Sequence, residues 1–281
     1  MVMSIRRGYG WALAATIALA ACTDNPSTPQ WAAGDSNSPT VATSTAAPPK
    51  SCAKPTAPAG WGPLAFADDF TGTKLNPAKW SIYDDPTGHV PRDPSRVAVS
   101  GGILKITGGK GADGRDVAGG LSSNLNFMYG HVDVCFRVDR GAGYSAILLL
   151  WPQSEKWPDD GEIDISEVNR GARAATNSFV HNHPNNDRLG HTTRADFTQW
   201  HVMSADWTPE RVTFYLDGEK QWTVGLDART EGLVPTTSPM HLAIQLDQGC
   251  DAFIECRTAA TPAKVVMHTD WVRIYAYKQG V

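Results

Sequence analysis

The sequence predicts an all-β fold, a β-jelly-roll sandwich of two antiparallel sheets. Three observations carry that expectation. Short runs with period-two alternation recur from Trp61 onward, clusters of Gly, Pro, Asn and Asp separate them, and no segment sustains a helical apolar period over three turns. VAVSGGILKIT (97–107) reads as strand, glycine turn, strand. HVDVCFRV (131–138) alternates cleanly, and YSAILLLW (144–151) is a continuous apolar run of the kind a buried strand shows. QWHVMSADW (199–207) follows, and RVTFYLDGEKQWTV (211–224) reads as a hairpin turning at Asp217-Gly218. PMHLAIQLD (239–247) and KVVMHTDWVRIYAYK (264–278) complete the set. These strands and turns fill about 220 residues, the size of one large sandwich with no second domain. The folded domain is therefore expected over 61–281.

Ahead of it the chain reads as targeting and tether. Arg6 and Arg7 precede an eleven-residue apolar segment, WALAATIALAA (11–21), which is too short to span a bilayer and suits a signal peptide over 1–21. It ends Leu19-Ala20-Ala21-Cys22, which resembles the lipobox of bacterial lipoproteins, where the chain is cut before a cysteine that becomes lipidated. The alternative is an ordinary secretory peptide beside a coincidental Cys22. Residues 22–60 are rich in Ser, Thr, Pro and Ala with hardly an aliphatic side chain, so they are expected to be a disordered tether reaching about 30–40 Å. The expected location is outside the cell membrane, held there by lipid alone.

With Cys22 assigned to lipid, four cysteines remain, an even number that favours two disulfides in an exported protein. Three connectivities are open. The short loop DAFIE between Cys250 and Cys256 favours that pair, leaving Cys52 with Cys135. A net charge of −4, with no run of Lys or Arg longer than two, argues against nucleic acid as a partner. Ten Trp residues suit either a β core or faces that stack on sugar rings. A monomer is expected.

The chemistry concentrates in DDGEIDISEVN (159–169). Like charges on one strand face repel, so something must offset their crowding. Ile163 and Ile165 point to one face and Glu162 and Asp164 to the other. Glu167 lies five residues after Glu162 and would face the wrong way, unless a bulge at Ser166 inserts one position. Outer positions about 13 Å apart along a strand let two inward-leaning glutamates approach the ~5–5.5 Å separation of retaining glycosidases. A shorter Asp fits between them. Three carboxylates so placed cannot all ionise cheaply, which supplies a proton-bearing acid beside an ionised nucleophile. Full solvation of the acids and calcium binding are the alternatives.

Gly-Glu-Ile-Asp-Ile-Ser-Glu resembles the bulged, laminarinase-like Glu-x-Asp-x-x-Glu motif of glycoside hydrolase family 16. Other pieces match in order: Tyr129-Gly130-His131, Trp157-Pro158-Asp159-Asp160-Gly161, WHVMSADWTPERVTFYLDG (200–218) and DWVRIY (270–275), so the resemblance spans roughly 61–277. It implies a sandwich with a concave substrate cleft, Glu162 as nucleophile, Glu167 as general acid/base and Asp164 holding the nucleophile. It implies that Trp157 stacks under a sugar beside the scissile bond, and that His181 faces the cleft. A hydrogen-bonded core histidine is the alternative for His181. Trp151 is a candidate for the cleft or for the core, and Gln245 is a candidate for the cleft wall. The three His of HNHPNNDRLGH (181–191) lack the pattern of a metal site. No cofactor is required for catalysis, although the resemblance implies a structural calcium near Gly102 and Asp270. The Gly-rich segment 109–120 reads as a flexible loop.

The expected function is an endo-acting, retaining β-glycan hydrolase whose partner is a polysaccharide, most simply 1,3-β-glucan. A transglycosylase that remodels an envelope polymer, and a non-catalytic carbohydrate-binding sandwich, are the two other classes.

Overall fold

In the computed structural model, residues 51–280 are described, apart from 55, 228, 229 and 231. The expected signal segment, Cys22 and the tether as far as Lys50 lie outside the described residues. The strands are β1 Leu64–Asp68, β2 Trp80–Ile82, β3 Val97–Ser100, β4 Ile103–Lys110, β5 Asp116–Val117, β6 Gly120–Ser123, β7 Gly130–Val138 and β8 Tyr144–Pro152. They continue as β9 Glu162–Val168, β10 Ala175–Asn182, β11 Asp187–Arg194, β12 His201–Trp207, β13 Val212–Leu216, β14 Glu219–Val224, β15 Met240–Gln248 and β16 Lys264–Ala276. One three-residue 3₁₀ turn is the only helical element among the described residues.

Alternation places every named strand in one of two antiparallel sheets. The outer sheet runs β14-β13-β12-β7-β16-β4-β3, with β1 on β16 and β5 on β4. The inner sheet runs β11-β10-β9-β8-β15-β6-β2. Between them lies one apolar core. The inner sheet contributes Leu148, Leu150, Ile163, Ile165, Leu242 and Ile244, and the outer sheet contributes Val132, Val134, Phe136, Met267, Val272 and Ile274. The expected hairpin turn is present, with positive φ at both Asp217 (51°) and Gly218 (84°), as a two-residue turn between right-twisted strands demands.

Both disulfides join the pairs expected from spacing, Cys52–Cys135 and Cys250–Cys256. The first fastens the segment ahead of β1 to the middle of β7. Lys54 adds an ion pair to Asp69 at 2.9 Å, so residues 51–54 are held against the sandwich ahead of the boundary expected at Trp61.

Six strands depart from the sequence reading: β1, β2, β5, β6, β10 and β11. The segment 109–120 is no flexible loop, because β4 and β5 pair across it and β6 begins at its end. Its glycines serve close approach. A Cβ on Gly119 would meet Val97 at 2.7 Å, and one on Gly120 would meet the Tyr83 ring at 2.6 Å. The His-rich stretch 181–191 is likewise a hairpin, in which His183 pairs with exposed Asp187 and His191 stacks on Trp222.

On the outer face of the outer sheet, His131 is buried between two acids. Its Nδ1 is 2.6 Å from Asp206, and its Nε2 is 2.8 Å from Asp133. Ser204 donates to the same Asp133 oxygen, and the Tyr215 hydroxyl donates to Asp206. Burial opposes the imidazolium, but hydrogen bonding and attraction to Asp133 and Asp206 outweigh it and hold the ring's pKa at about 9. A folded-state pKa above the unfolded value gives stability that is complete below the unfolded pKa and fades as pH rises through the folded one. The contribution is on the order of 3 kcal/mol. Denaturant unfolding at pH 6 and pH 10 is expected to show this loss, and Asp206→Asn is expected to shrink it.

Candidate active site

The concave face of the inner sheet carries the acids. Strand β9 pairs with β8 as Ile147↔Glu167, Leu148↔Ser166, Leu149↔Asp164 and Leu150↔Ile163. Three steps on β9 therefore meet two on β8 between Glu167 and Asp164, and Ile165 is the extra residue. The partner on the other side agrees, with Asn177↔Glu167, Phe179↔Asp164 and His181↔Glu162. The bulge sends Ile163, Ile165 and Val168 into the core and leaves Glu162, Asp164 and Glu167 together on the cleft side. Side chains of β10 hold it in place: Ser178 Oγ donates to the Ile165 carbonyl at 2.9 Å, and the Ser166 and Thr176 hydroxyls are 2.7 Å apart.

The acids are poorly solvated. Glu162 is 9% exposed and Asp164 2%. Burial, then the charge of Asp164, raises the Glu162 pKa well above the usual range. Trp157 opposes the shift by donating Nε1–H to Glu162 Oε2 at 2.7 Å. Burial, followed by repulsion from Asp164 and Asp247, pushes Glu167 up to about 9, against an attraction to Arg188. His181 sets its Nε2 3.3 Å from Asp164 and its Nδ1 2.7 Å from Asn186. Its burial disfavours charge, yet the hydrogen bond and charge of Asp164 raise its pKa. It is therefore both buried and on the cleft face, so the two readings of this residue describe one position.

Two tryptophans flank the acids. Trp157 and Trp151 lie nearly parallel, 12° between planes and 6.3 Å between centroids. Trp151 packs on Ile147, Leu149 and Ala243, a small apolar patch on the cleft side and separate from the main core. Gln245 is on that face too, but its Oε1 accepts from Arg92 at 2.9 Å, and Arg92 also bridges to Asp247 at 2.6 Å. Arg92, Asp247, Asn177, Phe179 and Arg188 are cleft-side residues that sequence reading missed. The alternation of β10 about His181 could have found two of them.

Among the described residues, the group able to present three metal-ligating side chains is Glu162, Asp164 and His181, whose ligand atoms lie within 4.8 Å of one another. It coincides with the acids themselves. Asp270 sits at a register break in β16 and accepts a hydrogen bond from the Ser51 hydroxyl. Gly102, with φ 74°, turns β3 into β4. Ser51 and Asp270 thus bring two hard oxygen donors, of the kind calcium takes, side by side.

Residues 90–273 match the sequence profile of Glycosyl hydrolases family 16. The chain belongs to that family. Among similar proteins, a β-glucanase of Rhodothermus marinus is 26% identical over 76% of this chain and 85% of its own length. A glucan endo-1,3-β-glucosidase A1 of Niallia circulans is 25% identical over 75% of this chain but only 37% of that longer protein. The laminarinase catalytic domain of Thermotoga maritima superposes with a TM-score of 0.70 at 18% identity, covering 78% of this chain and 99% of that one. That likeness establishes the family 16 jelly roll for the inner and outer sheets.

The hydroxyl of Ser178 is the testable part of the bulge. Ser178→Ala leaves the Ile165 carbonyl buried without its donor and is expected to cost about 1–3 kcal/mol in denaturant titration. Ser178→Thr, which keeps a hydroxyl, is expected to cost less.

Proposed function

We propose that this family 16 chain is a retaining, endo-acting β-glucan hydrolase, with 1,3-β-glucan as its substrate. The hydrogen bond from Trp157 Nε1 to Glu162 carries the reading of roles. Three crowded carboxyls must hold at least one proton between them. A fixed N–H donor favours the ionised form of Glu162, and no side chain donates to Glu167 among the described residues. Glu162 is thus suited to be the nucleophile and Glu167 the proton-bearing acid, with Asp164, held by His181, orienting Glu162.

In the first step a Glu162 oxygen attacks the anomeric carbon as the glycosidic C–O bond breaks, and the leaving oxygen takes the proton of Glu167. In the second, Glu167 removes a proton from water as the water oxygen attacks that carbon. The bond to Glu162 breaks, and Glu167 is again protonated. Trp157 and Trp151 offer apolar faces for sugar rings beside this bond. The 1,3-β-glucan assignment is supported by the names of the similar enzymes from Niallia circulans and Thermotoga maritima. Export on a lipid-modified Cys22 is supported by the lipobox-like sequence and by the two disulfides. A bound calcium would be held by Asp270 with oxygens near Ser51 and Gly102, and would brace the outer sheet without entering the chemistry.

Laminarin, lichenan and agarose, assayed for reducing ends, test the substrate. Cleavage of laminarin with retained anomeric configuration by NMR is expected, along with a loss of at least about a thousandfold for Glu162→Gln. Inverted product, or full activity in that variant, would overturn the mechanism. Trp157→Phe keeps the aromatic face but removes the donor. It is expected to move the acidic limb of the kcat/KM profile to higher pH and lower the rate near neutrality about tenfold.

A further inference from the structure

Two arginines lie over aromatic rings at opposite flanks of the concave face, and they differ in what holds their charge. Arg92 sits 5.2 Å from the Tyr83 centroid, and its guanidinium is engaged by Asp247 and Gln245. Arg188, on β11, is exposed and lies over two rings, 5.7 Å from Phe179 and 4.9 Å from Phe253. No carboxylate pairs with it among the described residues, and neighbouring Asp187 is taken by His183. Phe179 stands directly opposite Asp164 in the β9–β10 register. The attraction of Arg188 also reaches Glu167. The stack therefore begins on the cleft floor beside the acids and ends on the rim.

Phe253 is 43% exposed, an unusual setting for a large apolar ring. Its loop is built to hold it there. Cys250–Cys256 closes the loop, and Asp251 accepts from the backbone N–H of both Phe253 (2.7 Å) and Ile254 (2.8 Å). Glu255 bonds the segment after β9 twice, through its N–H to the Asn169 carbonyl and through its carboxylate from the Gly171 N–H. A ring on a loop so fixed loses little freedom when it binds something.

We infer that Phe179, Arg188 and Phe253 form a sugar-binding subsite at the β10–β11 end of the cleft, which takes one glucosyl unit of a chain extending from the acids. The inference rests on the β-glucan reading above. The part of Phe253 that stays exposed offers an apolar surface to the C–H face of a pyranose. The Arg188 guanidinium over these rings has no carboxylate partner among the described residues, so its N–H groups can donate to sugar hydroxyls.

The test is calorimetric titration of the full chain carrying Glu162→Gln with laminari-oligosaccharides from the disaccharide to the hexasaccharide. Adding Phe253→Ala or Arg188→Ala is expected to weaken the hexasaccharide about tenfold and the disaccharide hardly at all, while Phe253→Trp preserves affinity. Phe253 is a surface ring, so the melting temperature of its variant is expected to hold. Hexasaccharide affinity unchanged in both variants, or lost equally at every length, would overturn the subsite and leave the glucan assignment standing. If the parent Glu162→Gln protein binds no laminari-oligosaccharide, the glucan assignment fails and the subsite fails with it.

Discussion

The cleft depends on one extra residue in one strand. If Ile165 were paired in regular register instead of bulged, β9 would alternate throughout, and Glu167 would enter the core on the side of Ile163 while Val168 left it. The inserted position rotates the end of the strand by half a pleat, so three acids share a face while the isoleucines and Val168 stay buried. A bulge leaves ladder groups unpaired, and a buried carbonyl without a donor is costly. The neighbouring strand answers this with Ser178 and Thr176, small hydroxyl residues where a core strand would ordinarily carry aliphatic ones. The shape of the acidic site is thus set by groups behind it, on the side of the sheet that substrate never touches.

Electrostatics follows from that placement. Three carboxyl groups stand close together on a largely buried floor, and the charge of Asp164 raises the proton affinity of both glutamates. The protein breaks the symmetry with local groups: a tryptophan N–H on Glu162, an imidazole beside Asp164 and a more distant guanidinium facing Glu167. The two glutamates end in different environments although they are chemically the same. That inequality is what general acid catalysis beside a nucleophile requires.

Much of this was legible in the sequence, and the omissions have physical causes. Long strands with apolar inner faces, such as β7, β8 and β15, announce themselves because their alternation is the core. Strand β10 does not, because its inward positions include Thr176 and Ser178, which serve the bulge and so erase the apolar pattern. Strand β6 is hidden by Gly120, where the absence of a side chain makes room for the Tyr83 ring. The acids could be found from local spacing, and Trp157 from the family resemblance. Arg92 could not, since it reaches the cleft by bonding Gln245 and Asp247 far along the chain, and Arg188 was hidden with the β10–β11 hairpin that carries it.

The bond between Cys52 and Cys135 has a mechanical consequence. Tension applied to the chain ahead of Cys52 does not reach the edge strand β1 first. It is delivered to the middle of β7, which is hydrogen-bonded to β12 on one side and β16 on the other. A strand pulled at the edge of a sheet can unzip one bond at a time, whereas one loaded at the centre must shear two full ladders together. The sandwich is therefore gripped in the middle of the sheet opposite the cleft, away from the sheet that carries the acids.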